Sequence, residues 1–337
     1  MMVMNSIKKS QGFSLVELLV AMLVGLIIVS GAFSLHSGSR KAQVKNEVQM
    51  DMVADARFAI ELISYDLRHA GMWGGTNKDS LIDCKSTDAA CSSTSAGDTP
   101  PSAMAGDCDV GWYYNLSRAI FATDDSAGNP YSATCIPASE GYLAGTDILE
   151  IKYADSNPPA SLLANQAYIR SNSTGGRIFV GTTQPVLDSY DTSPLTNNHE
   201  LHAFTYYISD HTDAAGDGIP SLRRVSLVNS PTLQNQLLVS GVANLQVQFG
   251  LDVDQDNTVD RYVNPGDEAY NPNAAGYIPG AKVITARVWM VVRGLTPEVG
   301  LADNRDYSPG DVDLGAFNDQ VRRLQVSKTI LLRNART

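Results

Sequence analysis

The chain is short of cations, histidine and cysteine for its length, and each shortage excludes something. Lys and Arg number 25 against 36 Asp and Glu, which leaves a formal net charge of −11. A nucleic-acid partner needs clustered cations to neutralise phosphates, so none is expected. No G-x-S-x-G, phosphate-binding loop or H-E-x-x-H occurs, and the five histidines are scattered. His199 and His202, at i and i+3 near the start of a predicted strand, read as surface or packing residues. The four cysteines contain no C-x-x-C pair, which argues against zinc. No residue set points to catalysis, and the chain is not read as an enzyme. There is no internal repeat. Proline is missing from Phe13 to Ala70, so nothing there forces a helix to break.

Charge is also missing where it matters most. Lys8-Lys9-Ser10-Gln11-Gly12 runs into Phe13-Ser14-Leu15-Val16-Glu17-Leu18, and from Phe13 to Leu35 the 23 residues carry one charge, Glu17. About 20 apolar residues suffice to cross a bilayer as a helix. The flanking cations, Lys8 and Lys9 before and Arg40 and Lys41 after, nearly balance and do not set the orientation. An ionised carboxylate within a membrane helix costs roughly 2.5 to 3.5 kcal/mol, so Glu17 needs a partner or a proton. An ordinary secretory signal cut near Ser30-Gly31-Ala32, or a plain anchor, are the simpler alternatives. Against the first, the apolar run is long, contains an acid and has no polar segment before the small residues.

The residues Gly12-Phe13-Ser14-Leu15-Val16-Glu17 resemble the processing site of type IV prepilins. The resemblance implies a leader peptide at residues 1–12 held in the cytoplasm, cleavage after Gly12 by a prepilin peptidase, and methylation of the new N-terminus at Phe13. It also implies a role for Glu17 in recruitment and axial register. In a filament of parallel helices this carboxylate meets the terminal amine of a neighbour, and the low dielectric strengthens the pair. Residues 13–35 are then the transmembrane helix and, after assembly, the filament core.

After Leu35 the pattern becomes amphipathic. Val44, Val48, Met52, Ala56, Ala59, Ile63 and Leu67 follow spacings of three and four, with charges on other faces, and Gly71 offers a stop. Residues 36–70 are expected as a periplasmic helix whose stripe packs on the protein's own sheet. The 58 positions from Phe13 to Ala70 would extend about 87 Å as one helix. Gly25 and Gly31 fit either local unwinding on assembly or close helix packing. The segment Ala56 to Gly71 is similar to the helix end of PilW-type minor pilins, and similar segments occur in J-type minor pseudopilins.

Residues 71–146 are rich in Gly, Ser, Thr, Asp and Pro and read as an elaborated loop region holding all four cysteines. In an exported domain an even cysteine count suggests disulfides. Three pairings exist; sequence proximity favours Cys84 with Cys91 and Cys108 with Cys135. Strand signals fill residues 147–337: Asp147 to Tyr153, Arg177 to Val180, Leu201 to Ser209, Leu222 to Val228, Val242 to Leu251, Val283 to Arg293 and Leu324 to Arg333. Around Ser209 to Pro220 a hairpin with a long acidic tip is expected. The fold class is α+β, pilin-like, with a long N-terminal helix on an antiparallel sheet and a large disulfide-bearing loop region.

One dense acidic cluster, Asp252-Val253-Asp254-Gln255-Asp256-Asn257-Thr258-Val259-Asp260, places acids at positions one, three, five and nine of a loop. Asp252, Asp254, Asp256 and Asp260 are candidate calcium ligands, with Asn257 supplying a left-handed turn. Position twelve is Val263, so the usual bidentate glutamate is missing; Asp267 or Glu268 are off-register substitutes. No cofactor is required, and calcium is the candidate ion.

Taken with the similarity to PilW-type pilins, including the ending Arg322 to Asn334, these features lead to one expectation. The chain is a minor pilin that primes a type IV pilus and sits at or near its tip, placed in the inner membrane with a periplasmic domain and at the cell surface after assembly. The expected partners are other minor pilins, the major pilin, the prepilin peptidase and methyltransferase, and a large tip adhesin. Two alternatives stand: a J-type pseudopilin of a secretion system, and a calcium-dependent surface adhesin.

Overall fold

The computed structural model describes residue 12 and residues 14–89, 91–187, 195–229, 231–270 and 274–335. The chain divides into two compact units, Met1–Asp51 and Met52–Thr337. A single helix, α1 (Leu15–His69), supplies nearly all the described structure of the first unit and opens the second.

Within the first unit the helix shows no buried face. Leu15, Leu26, Phe33 and Leu35 are each more than 70% exposed, and an 18-residue window has a mean hydropathy of 2.6 with none of it buried. The segment is long and apolar enough to cross a membrane. From Met52 onward one stripe is buried: Met52, Ala56, Ala59, Ile60, Ile63 and Leu67. Val44 and Val48, predicted to extend that stripe, are exposed and half-buried. Gly71 ends the helix at φ +74°, a left-handed conformation that glycine adopts without Cβ strain, and its N–H bonds the Lys152 carbonyl.

Among the described residues the second unit has fourteen strands. They are β1 (Ile82–Asp83), β2 (Ile120–Thr123), β3 (Ile148–Ala154), β4 (Ala167–Ser171), β5 (Gly176–Val180), β6 (Asn197–Ser209), β7 (Ser221–Val228), β8 (Thr232–Ser240), β9 (Val242–Asp252), β10 (Arg261–Val263), β11 (Lys282–Arg293), β12 (Asp306–Tyr307), β13 (Gly315–Ala316) and β14 (Arg323–Leu331). The larger sheet runs β1-β5-β4-β6-β3-β2, and β7 joins it to β6 with β8 beyond; the second runs β10-β9-β11-β14. The single antiparallel sheet expected is therefore two principal sheets, and the larger is mixed, because β1 pairs parallel with β5. The β6–β7 hairpin forms as expected, with Ser209 opposite Ser221.

Two apolar cores follow. One gathers the helix stripe with Leu149, Ile151, Phe204, Val247, Phe249 and Val288. The other lies under residues 73–136, where Trp73, Trp112, Tyr113 and Ile136 meet Ile169, Ile178 and Tyr207. The loop-rich region thus has a core of its own, supplied by scattered aromatics rather than by periodic pattern. Gln246, on the polar side of β9, is fully buried: it and Asn244 donate to the Gly145 carbonyl at 3.0 Å, so that face is covered.

Candidate functional site

Gly12 is exposed; Phe13 lies outside the described residues. Ser14 is the N-cap of α1. Its Oγ accepts from the Val16 N–H at 3.3 Å, while Glu17 Oε2 accepts from the Ser14 N–H at 3.3 Å. These reciprocal bonds are a capping box, which satisfies two backbone donors that a helix start leaves free. Among the described residues no cation pairs with Glu17. The carboxylate is held by its own helix start, at the edge of an apolar surface that no described residue covers. Gly25 and Gly31 have nothing within 4 Å of where a Cβ would stand, so no packing among the described residues accounts for them. Such a surface is stable only against lipid or other apolar helices.

The acids of the second unit are treated differently. Asp66, on the last turns of α1, is buried and accepts from the Tyr153 hydroxyl at 2.8 Å and from the Tyr206 hydroxyl. Burial pushes its pKa above the usual carboxylate value, against the pull of the two phenols. Glu150 on β3 is fully buried. Trp112 Nε1 donates to it at 3.2 Å, Lys152 Nζ donates at 3.1 Å, and the Tyr131 hydroxyl donates to its other oxygen. Lys152 is also buried, and burial lowers its pKa against the carboxylate's opposing effect. Cysteines pair as Cys84–Cys91 and Cys108–Cys135. The second closes the stretch holding Trp112 and Tyr131, so it holds in place the loop whose aromatics satisfy Glu150.

Of the four acids expected to bind calcium, the structure converges three. Carboxylate oxygens of Asp252, Asp254 and Asp260 lie within 4.8 Å of one another. Asp256 is not among them: its Oδ1 accepts from the Thr258 N–H at 2.7 Å and Oγ1 at 2.6 Å, which lower its pKa. Asn257 has φ +65°, as its proposed turn requires, and Gln255 shares that value. Val263 faces Phe249 across the β10–β9 ladder and is buried, so position twelve belongs to the sheet. The substitutes are engaged elsewhere: Asp267 accepts from Ala269 and Glu268 from Gly276. Asp124, Asp125 and Asp311 form a second acidic group that no local spacing could reveal, since two loops far apart in sequence supply it. Nearby Asp147 is buried, which raises its pKa to about 8.

Residues 7–33 match the prokaryotic N-terminal methylation motif, and residues 205–334 match the family described as type IV pilus-assembly protein W. The two matches support a type IV pilus minor pilin of the PilW family. The second match begins within β6 and takes in β7 to β14 with the acidic loop. All four cysteines lie between the two matched stretches, so the disulfide-bearing region is outside both. This pilin is also similar to a solved type IV-like pilin from Thermus thermophilus, at 17% identity over 52% of this chain and 87% of that one, with a TM-score of 0.25. No curated protein matches it.

Proposed function

We propose that this pilin primes assembly of a type IV pilus and sits at or near the tip, by packing its apolar helix against those of other minor pilins and the major pilin. The observation that carries the proposal is the uncovered surface from Leu15 to Leu35, with Glu17 at its start and no cation among the described residues beside it. A lipid bilayer satisfies the apolar side chains but leaves the carboxylate without a countercharge. A filament of like helices supplies both. Before assembly the helix is held in the inner membrane with the strands in the periplasm, after a prepilin peptidase has removed residues 1–12 and the Phe13 amine has been methylated. The two disulfides are compatible with an oxidising compartment.

The size of the second unit supports a place at the end of the fibre, where a bulky subunit need not repeat, and next to a large adhesin. A J-type pseudopilin is the alternative, and the match to the assembly protein W family favours the pilus. The calcium site belongs to the same proposal in reduced form, with Asp252, Asp254 and Asp260 as ligands. Mass spectrometry of the protein extracted from membranes tests the first step. A mature chain beginning at N-methylated Phe13 is expected; a retained leader, or cleavage after Ala32, contradicts it.

A further inference from the structure

Sheet edges leave backbone donors and acceptors without partners, and proteins guard long edges with charge, proline or bulges. Two long edges occur among the described residues. β14 pairs only with β11, and β8 only with β7. β14 carries Arg323 and Lys328 and is flanked by Arg322 and Arg333. β8 reads Thr232-Leu233-Gln234-Asn235-Gln236-Leu237-Leu238-Val239-Ser240, without a charge, a proline or a glycine. Its pairing with β7 is regular from Thr232 to Leu237, and the one register shift comes after that. No described residue bonds the backbone on its outer side.

The sequence of this edge indicates what fits it. Leu233-Gln234-Asn235-Gln236-Leu237 reads identically in both directions. Ser226 Oγ on β7 donates to the Gln234 carbonyl at 3.3 Å, so Gln234 directs its backbone at β7. Ladder alternation then turns the backbone groups of Leu233, Asn235 and Leu237 outward. The centre of the palindrome is thus an outward-facing residue, so a two-fold axis placed there sets its backbone N–H and C=O against those of its counterpart.

We propose that β8 pairs antiparallel with β8 of a second copy of this chain, about a two-fold axis at Asn235. The arrangement is isologous, with one patch meeting itself. It sets Asn235 opposite Asn235, Leu233 opposite Leu237 and Gln234 opposite Gln236, so apolar faces apolar and amide faces amide. Amides both donate and accept, and each can satisfy its counterpart. Alternation allows about six backbone hydrogen bonds between the copies. An extended strand from a different pilin could use the same backbone groups, but the palindrome favours a second copy. The proposal does not depend on the pilus role.

Position-specific crosslinking of the full chain in membranes tests it, because association through the apolar helix would not select residues on β8. Copies bearing Gln234→Cys and copies bearing Gln236→Cys, with different tags, are expressed together. The two positions face each other at about 4.5 Å between Cα atoms, within disulfide range, whereas each variant alone offers only a diagonal of about 7 to 8 Å. All native cysteines are already bonded. Mixed-tag dimers are expected to exceed same-tag dimers by roughly tenfold on that geometry. In a second arm without added cysteines, Gln234→Lys with Gln236→Lys should abolish co-purification of tagged copies. Gln234→Lys with Gln236→Glu, which sets opposite charges face to face, should restore it. Same-tag and mixed dimers in equal yield, crosslinks to a different pilin, or co-purification unaffected by the paired lysines would each overturn the proposal.

Discussion

Glu17 and Asp66 lie on the same helix and are satisfied in opposite ways. Asp66 is buried, and two tyrosines from β3 and β6 donate to it. Glu17 is exposed on an apolar surface, and the chain gives it the N–H of Ser14 and no cation among the described residues. On the proposed function, the difference separates an acid that serves the fold from one that serves assembly. An acid whose partners all lie in its own chain is explained by that chain; an acid placed where ionisation is costly, with no countercharge of its own, points to a neighbour. Glu150 belongs with Asp66, since Trp112, Tyr131 and Lys152 surround it.

The sharpest way to break the contrast is to remove each acid and measure stability. Asp66→Ala leaves two buried phenols without an acceptor, and unsatisfied buried groups cost about 1 to 3 kcal/mol each, so a loss of about 2 to 4 kcal/mol is expected by chemical denaturation of the detergent-solubilised protein. Replacing all three partners with apolar residues, Asp66→Leu with Tyr153→Phe and Tyr206→Phe, should recover most of it. Glu17→Ala should leave the denaturation midpoint of the second unit unchanged. A loss with Glu17→Ala as large as that with Asp66→Ala would erase the distinction.

A smaller effect concerns pH. Burial raises the Asp107 carboxyl to about 6. The folded state therefore holds this proton more tightly than the unfolded chain, whose value is 3.8. Its contribution to stability is full below about pH 4 and is lost as pH rises through about 6. Wild type should lose up to about 2 kcal/mol relative to Asp107→Asn across that interval, with no further divergence above it. Parallel stability profiles would show that Asp107 is as freely ionised as an exposed acid.

The smallest effect belongs to the acidic loop. At a calcium concentration ten times the dissociation constant, a site that binds only the folded protein adds about 1 kcal/mol. Millimolar calcium should raise the melting temperature of wild type and of Asp256→Ala alike, because Asp256 lies outside the convergent group, and leave Asp254→Ala unmoved. No shift in wild type would make the loop a solvated turn, and a shift lost in Asp256→Ala would restore the original set of ligands.

Much of this division was legible in the residues, and the failures have physical causes. The apolar run with one acid, the Gly71 stop and the stripe from Met52 to Leu67 depend on local pattern and helical period, and all are visible in one dimension. Glu150 and Lys152 alternate with Leu149, Ile151 and Tyr153 along β3. These two are buried because a loop closed by Cys108–Cys135 covers their side, which alternation alone does not report. β8 was missed because its amides lack the β-branched and aromatic character of a strand, and its pairing with β7 decides its conformation. The strands β1, β12 and β13 have two residues each and carry no pattern of their own. Ser14-Leu15-Val16-Glu17 was legible as a capping box, yet its glutamate was read for assembly alone. On the proposed function one side chain serves both, since the cap on the helix start holds the carboxylate in place for an incoming amine.

The central claim, that Glu17 finds its countercharge in another subunit, is tested most directly by the amount of this pilin recovered in pili sheared from cells producing Glu17→Ala at native level, normalised to the amount in the membrane. The claim predicts equal membrane levels, normal cleavage after Gly12 and a loss in the pilus fraction of at least about tenfold, since removal of one buried ion-pair partner costs about 3 to 5 kcal/mol. Recovery equal to wild type would contradict it and leave Glu17 as a helix cap and nothing more.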